Sequence, residues 1–195
     1  MSVRNSYTTA DYLEWDKMLT LVRRLYRDGN YRMSVLVGCG SFFGLRISDL
    51  LTLNWSMLLD SDKFIIVEKK TGKRREVKIN GNFQKHIADC YHALGLSDRD
   101  AYCFVNPRGG VYSTQHINRM FKEFNLSYNL RVEHFSTHSL RKTFGRRVVE
   151  QAHENSEMAL IRLMELFNHS SVAITKKYLG LRRTELMETY DLLDF

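Results

Sequence analysis

Phe64-Ile65-Ile66-Val67-Glu68-Lys69-Lys70-Thr71-Gly72-Lys73-Arg74-Arg75-Glu76-Val77-Lys78-Ile79 is where the chain changes period. Elsewhere apolar residues recur every three to four positions, as on one face of a helix; here an apolar run gives way to charge and then to alternation. Phe64 to Val67 predicts a strand, and Val77-Lys78-Ile79 predicts its partner after a turn around Thr71-Gly72. A hairpin among helices predicts a mostly helical α+β fold carrying a small antiparallel β-sheet. The same stretch concentrates charge: residues 69–78 hold six cations against one anion, which places a cationic cluster at the hairpin tip.

On the N-terminal side, Thr8 or Thr9 can cap a helix with Tyr12, Trp15, Met18, Leu19, Val22, Leu25 and Tyr26 inward, ended by Asp28-Gly29-Asn30. A second apolar helix spans about Tyr31 to Phe43 and stops at Gly44. A short one follows from Ile47 to Leu53. On the C-terminal side helical spacing returns from Phe83 to Leu94. Tyr102 to Val105 is a short apolar run closed by Asn106-Pro107. Helices are then expected from Ser113 or Thr114, from His138 to about His153 with Thr137 as cap, from Ser156, and from Ser170 or Ser171 through Tyr178. A final amphipathic segment runs from Arg182 to Leu193.

A hydrophobic share of 44% is enough to bury a core, so the composition excludes a disordered chain. No stretch approaches the ~18 apolar residues of a membrane span, and the first residues lack the apolar core of a secretion signal. A cytoplasmic protein without membrane contact is expected. Cys39, Cys90 and Cys103 have no CxxC spacing and read as reduced, buried thiols rather than a disulfide frame or zinc site. A net charge of +7 favours a polyanionic partner. Any single basic cluster reads as a solvated face. The hairpin cluster, Arg141-Lys142 with Arg146-Arg147, and Lys176-Lys177 with Arg182-Arg183 together read as a footprint for phosphates.

Some residues carry chemistry by their setting. Arg46 follows a helix-breaking glycine in Gly44-Leu45-Arg46-Ile47-Ser48-Asp49. His138 and Arg141 are three residues apart, hence on one helix face, where they can address a single anionic group that has a proton to move. His169 sits at a turn between helices in Leu166-Phe167-Asn168-His169-Ser170-Ser171. Tyr178 follows it beside Lys176 and Lys177, cations that favour a phenolate. No run of carboxylates, HExxH or GxxxxGK[ST] loop is found, so the sequence offers no motif for a metal or nucleotide cofactor. Asp49 reads as a structural partner for a nearby helix end or arginine.

These pieces, in this order, resemble the tyrosine recombinase (phage integrase) family. Gly44 to Trp55 is similar to its first box, Lys70 in Lys69-Lys70-Thr71-Gly72-Lys73 to its hairpin lysine, and His138-Ser139-Leu140-Arg141-Lys142-Thr143-Phe144 to its second box. Leu166 to Ser171 with Ile174-Thr175-Lys176-Lys177-Tyr178-Leu179 resembles the last. Ser139 stands where an acidic residue is common, and Asn168 where glycine is usual. The resemblance implies the tyrosine-recombinase catalytic-domain fold and a catalytic set of Arg46, Lys70, His138, Arg141, His169 and Tyr178. Lys69, Lys73, Arg74, Arg75, Lys142, Lys176 and Lys177 are the expected DNA contacts. Residues 1–195 are expected to form a single catalytic domain without the family's usual N-terminal core-binding domain, and the Met1 start favours a naturally short member over a fragment. Residues 1–10 then form a short N-terminal extension and residues 182–195 a C-terminal helix that protomers can exchange.

The implied activity is site-specific recombination of double-stranded DNA at inverted repeats, by a protein monomeric when free and tetrameric on synapsed DNA. Tyr178 would attack a phosphodiester to leave a 3′-phosphotyrosyl link and a free 5′-hydroxyl. Arg46 and Arg141 would hold the non-bridging oxygens, His138 would act as general base or position the proton, Lys70 would act as acid, and His169 would donate to the phosphate. Two alternatives stay open: a type IB topoisomerase-like enzyme, and a DNA-binding relative without catalysis.

Overall fold

In the computed structural model, which describes residues 10–181 and 190, the period change at Phe64 marks a hairpin between helices. β1 (Lys63–Val67) and β2 (Arg74–Lys78) pair antiparallel, with Phe64 opposite Val77 and Ile66 opposite Arg75. Side chains alternate across a strand. Phe64 and Ile66 are therefore buried while Lys63, Ile65 and Val67 face out. The chain divides into two compact units, residues 1–144 and 145–195.

The first unit is built on α2 (Tyr31–Phe43), which is apolar all round and buried along most of its length, as a central helix must be. α1 (Trp15–Arg27) and α5 (Gly81–Ala93) pack against it. Among the described residues, α3 (Ile47–Leu50), α4 (Trp55–Leu59) and α6 (Thr114–Ser127) complete the unit's helices together with the start of α7 (Thr137–Ala152). Asn54 begins α4 by accepting from the Met57 amide at 3.0 Å, a helix the periodicity had not indicated. Cys39, Cys90 and Cys103 are buried free thiols, and burial pushes the Cys90 thiol up to about 12.

The first helix corrects an expectation. It starts at Trp15, and the proposed caps Thr8 and Thr9 lie outside the described residues. Ahead of it the chain is held as a strap, because the Thr143 hydroxyl accepts from the Leu13 amide at 2.9 Å and donates to its carbonyl at 2.7 Å. With both backbone groups of Leu13 satisfied from a distant side chain, a helix gains nothing there. The short helix after Arg46 likewise closes at Leu50 rather than Leu53.

In the second unit α8 (Ser156–Phe167) packs on α9 (Val172–Leu179). A side chain at Gly145 would strike Leu179 and Phe167, so glycine is what lets this part of α7 approach them. α8 ends at Asn168 in the left-handed region, φ 54°, which explains why glycine suits that position and why asparagine is tolerated. The segment from Arg182 to Leu193 falls outside the described residues except at Tyr190.

Candidate active site

Gly44 ends α2 with φ 58°, and a Cβ there would run into the Phe144 ring, so this turn requires glycine twice over. The turn delivers Arg46 to the start of α3 in extended backbone, where its carbonyl accepts from the Asp49 and Leu50 amides. The Arg46 side chain leaves the helix and pairs with Glu68, Nη1 to Oε2 at 2.8 Å. Arg141, only 5% exposed, is fixed from the other side by donating to the Gly44 carbonyl at 2.7 Å.

Arg46, Thr137, His138 and Arg141 line one cleft of about 160 Å³ with Leu45, Ile47 and Ser48. Arg46, His138 and Arg141, three of the four residues of this unit singled out for phosphate chemistry, therefore converge, whereas Lys70 does not line the cleft. The amino end of α7 borders the same cleft, and a helix N-terminus adds its partial positive charge for an anion. Partial burial lowers the His138 imidazole below the usual histidine range, and the charges of Arg141 and Lys142 lower it further. A neutral ring with an available lone pair is the form a base requires.

Behind the cleft lies a buried ionic cluster that the sequence reading did not anticipate. Glu68, 4% exposed, takes Arg46 and the Thr71 hydroxyl on Oε2, the latter at 3.0 Å. Arg75 approaches Oε1 at 3.6 Å and donates to the Phe43 carbonyl at 2.6 Å. Burial alone would raise the Glu68 carboxyl, but the bonds from Thr71 and Arg46 and the charges of Arg46 and Arg141 outweigh it and hold it low. Burial in turn lowers Arg75, against the charge of Glu68. Asp49, fully buried, accepts from the Lys69 amide at 2.9 Å and lies within electrostatic reach of Arg75.

The expected DNA-facing cations divide accordingly. Lys69, Lys73 and Arg74 are exposed at the hairpin, as is Lys70, and Lys177 is exposed on α9. Lys176 is half-buried. Arg75 corrects the reading of the cluster as a uniform tip: its side chain is 12% exposed and turned inward. The reason is strand parity, since Arg75 shares the inward face with Val77 and Ile79. Lys142 is 6% exposed, so it too is not a surface cation.

In the second unit the left-handed Asn168 turns the chain so that His169 sits against α9. Its Nδ1 lies 3.0 Å from the Thr175 hydroxyl, whose residue is fully buried and also lies 3.4 Å from the Ser171 carbonyl. A hydroxyl proton directed to Nδ1 leaves the ring proton on Nε2, whereas one directed to the Ser171 carbonyl lets Nδ1–H donate to the hydroxyl. Tyr178 stands on α9 with its ring edge-on to His169 at 5.2 Å and to Phe167 at 5.6 Å. Lys176 and Lys177 lie in the same helical turn. Among the described residues no group of three or more His, Cys, Asp or Glu side chains is placed to hold a metal ion, and no helix is long and apolar enough to cross a membrane.

The first unit thus gathers two arginines and a histidine at one cleft, and the second carries a helix-borne tyrosine beside another histidine. Residues 17–185 match the model of the phage integrase family. A probable integrase/recombinase, YoeC of Bacillus subtilis, is 30% identical over 162 residues, spanning 82% of this chain and 83% of that protein. The tyrosine recombinase XerC of Pelobacter propionicus is 28% identical over 76% of this chain, which spans only 47% of that relative's length. The crystal structure of XerA recombinase superposes with a TM-score of 0.70 at 22% identity, over 97% of this chain and 68% of that one. A lambda integrase dimer bound to a core site gives 0.64 at 18% identity, over 92% and 62%. The chain belongs to the phage integrase family, and its fold is that of the tyrosine-recombinase catalytic domains.

Proposed function

We propose that the protein is a site-specific tyrosine recombinase that breaks and rejoins double-stranded DNA at inverted-repeat sites. The observation that carries this reading is the convergence of Arg46, His138 and Arg141 on one cleft at the amino end of α7. Guanidinium groups match phosphate oxygens in shape and stay charged, so the cleft suits a phosphodiester whose charge grows in the transition state.

In this reading the Tyr178 phenol attacks the phosphorus while its proton passes toward His138. The bond to the 5′-oxygen breaks, and Lys70 supplies the proton that makes it a hydroxyl. Tyr178 is left esterified to the 3′-phosphate. A phenol near pKa ~10 is a weak nucleophile at neutral pH, which is why the proton acceptor and the phosphate clamp are both needed. His169, oriented by Thr175, donates to a non-bridging oxygen. One ester is exchanged for another, so resealing by a 5′-hydroxyl needs no external energy source. Residues 1–195 serve as one catalytic domain, with four protomers joined on two synapsed sites and a monomer in the free state. Exposed Lys69, Lys73, Arg74 and Lys177 carry the phosphate contacts outside the cleft.

The test uses a nicked suicide duplex containing the inverted repeats nearest the protein's own coding sequence. The wild-type chain should form a covalent protein–DNA adduct, and Tyr178→Phe should form none while still shifting the duplex in a gel. An adduct that survives in Tyr178→Phe assigns the nucleophile elsewhere. Relaxation of supercoils without any exchange between two sites would favour the topoisomerase-like alternative.

A further inference from the structure

Glu68 is a buried carboxylate that the chemistry above does not use. It is the last inward position of the β1 face, after Phe64 and Ile66, at the point where strand becomes turn. Its backbone closes that turn: the Glu68 amide donates to the Lys73 carbonyl at 3.0 Å, and its carbonyl accepts from Gly72 at 2.8 Å. Its side chain holds two different things at one oxygen, the Arg46 guanidinium at 2.8 Å and the Thr71 hydroxyl at 3.0 Å. Lys70 lies between Glu68 and Thr71 in sequence and is exposed. The neighbouring Lys69 amide is pinned at 2.9 Å to Asp49, one turn beyond Arg46 on α3.

A charged group this deep is costly unless several partners repay it. An apolar residue at position 68 would continue the Phe64 and Ile66 face at no such cost. We infer that Glu68 is a positioning residue that ties the turn bearing Lys70 to the phosphate-binding Arg46, so that the acid and the clamp reach the scissile phosphate as one piece. The inference rests on the proposed roles of Arg46 and Lys70. It adds that neither is set by its own element alone: Arg46 is aimed by the hairpin, and the turn is aimed by the first box.

The coupling makes a chemical prediction that mere support of the fold does not. A substrate whose 5′-bridging oxygen is replaced by sulfur leaves as a thiolate and needs no proton from an acid. It therefore reports the part of a defect that passes through Lys70 and is blind to the part that passes through Arg46. Single-turnover cleavage of the ordinary duplex by Glu68→Gln should fall on the order of 100-fold, and the sulfur substrate should restore about tenfold of this, leaving a deficit. Thr71→Val cuts only the tie to the turn and keeps the Arg46–Glu68 pair. Its loss, on the order of tenfold, should be restored completely.

Lys70→Ala serves as the reference and should be restored completely. If wild type forms no adduct, the recombinase reading fails. If wild type is active but Lys70→Ala is not restored, the acid assignment fails. With both controls as expected, no restoration in Thr71→Val overturns the coupling. So does complete restoration, or none, in a folded Glu68→Gln. Should Glu68→Gln not fold, as judged by its circular dichroism, the Thr71→Val pair of measurements decides alone.

Discussion

Arg74 and Arg75 are adjacent cations that should behave as different kinds of residue. Arg74 is exposed on β2, whereas Arg75 is 12% exposed and faces Glu68, itself 4% exposed. Replacing Arg75 with alanine removes a charge-assisted bond to the Phe43 carbonyl at 2.6 Å and the ion pair at 3.6 Å. A hydrogen bond from a charged donor contributes about 1.5–3 kcal/mol, and leaving a buried charge without any partner costs about 3–5 kcal/mol. Glu68 keeps Arg46 and Thr71, so the second figure does not apply in full. A net loss of about 2–3 kcal/mol follows. For a chain of this size each kcal/mol lowers Tm by about 2–4 °C, giving a fall of roughly 4–12 °C for Arg75→Ala. Arg74→Ala should leave Tm within about a degree or two, as surface changes do. Binding should show the reverse. Each phosphate contact contributes about 0.9 to the slope of log affinity against log salt, so Arg74→Ala should flatten that slope by about that amount and Arg75→Ala should not. Thermal melts by circular dichroism and gel-shift titrations at several salt concentrations measure both quantities. If Arg75→Ala melts like wild type and loses one unit of salt dependence, the inward assignment is wrong.

Thr175→Val removes the hydroxyl that meets His169 Nδ1, and cleavage should slow about tenfold with DNA affinity unchanged, while Thr175→Ser retains activity. A wild-type rate in Thr175→Val would show that the hydroxyl does not orient the ring. The lowered His138 imidazole sets a pH window. A base whose folded pKa lies below its unfolded value of ~6.5 stays neutral past that value, and the stability it contributes, full above ~6.5, is lost as pH falls through the folded pKa. The acidic limb of cleavage at subsaturating DNA, identified by its loss in His138→Gln, should therefore lie below pH ~6.5. A limb above that value would contradict His138 as the base of the free enzyme.

The parts of the site that could be read in the sequence are those whose chemistry is set by local spacing. His138 and Arg141 share a helix face at any crossing angle, and Gly44 marks the turn that leads into Arg46, although the arginine side chain is aimed by Glu68 from another element. Helix starts were legible where a side chain caps locally, as Ser113 and Ser171 do. The start of α1 was not, because Leu13 is satisfied by Thr143, 130 residues away. The same distinction explains Arg75. Its place in a run of cations suggested a solvated tip, while its parity with Val77 and Ile79 pointed inward. Charge composition is blind to strand register, and register is what decides exposure.

That parity also accounts for why a carboxylate stands at position 68. Strands that bury Phe64, Ile66, Val77 and Ile79 carry the positions of Glu68 and Arg75 inward with them, at the end of the hairpin nearest Arg46. An inward arginine there would meet Arg46 with like charge unless an anion separated them, and Glu68 does so while accepting from the turn. Lys69, Lys70 and Arg74 meanwhile stay on the exposed side of the hairpin. A reversed pair, with the acid at 75 and the base at 68, would conserve the charge but place the cation beside Arg46 and remove the acceptor from Thr71. The swap Glu68→Arg with Arg75→Glu should therefore fail to restore either fold or cleavage, although it conserves the pair's charge and composition.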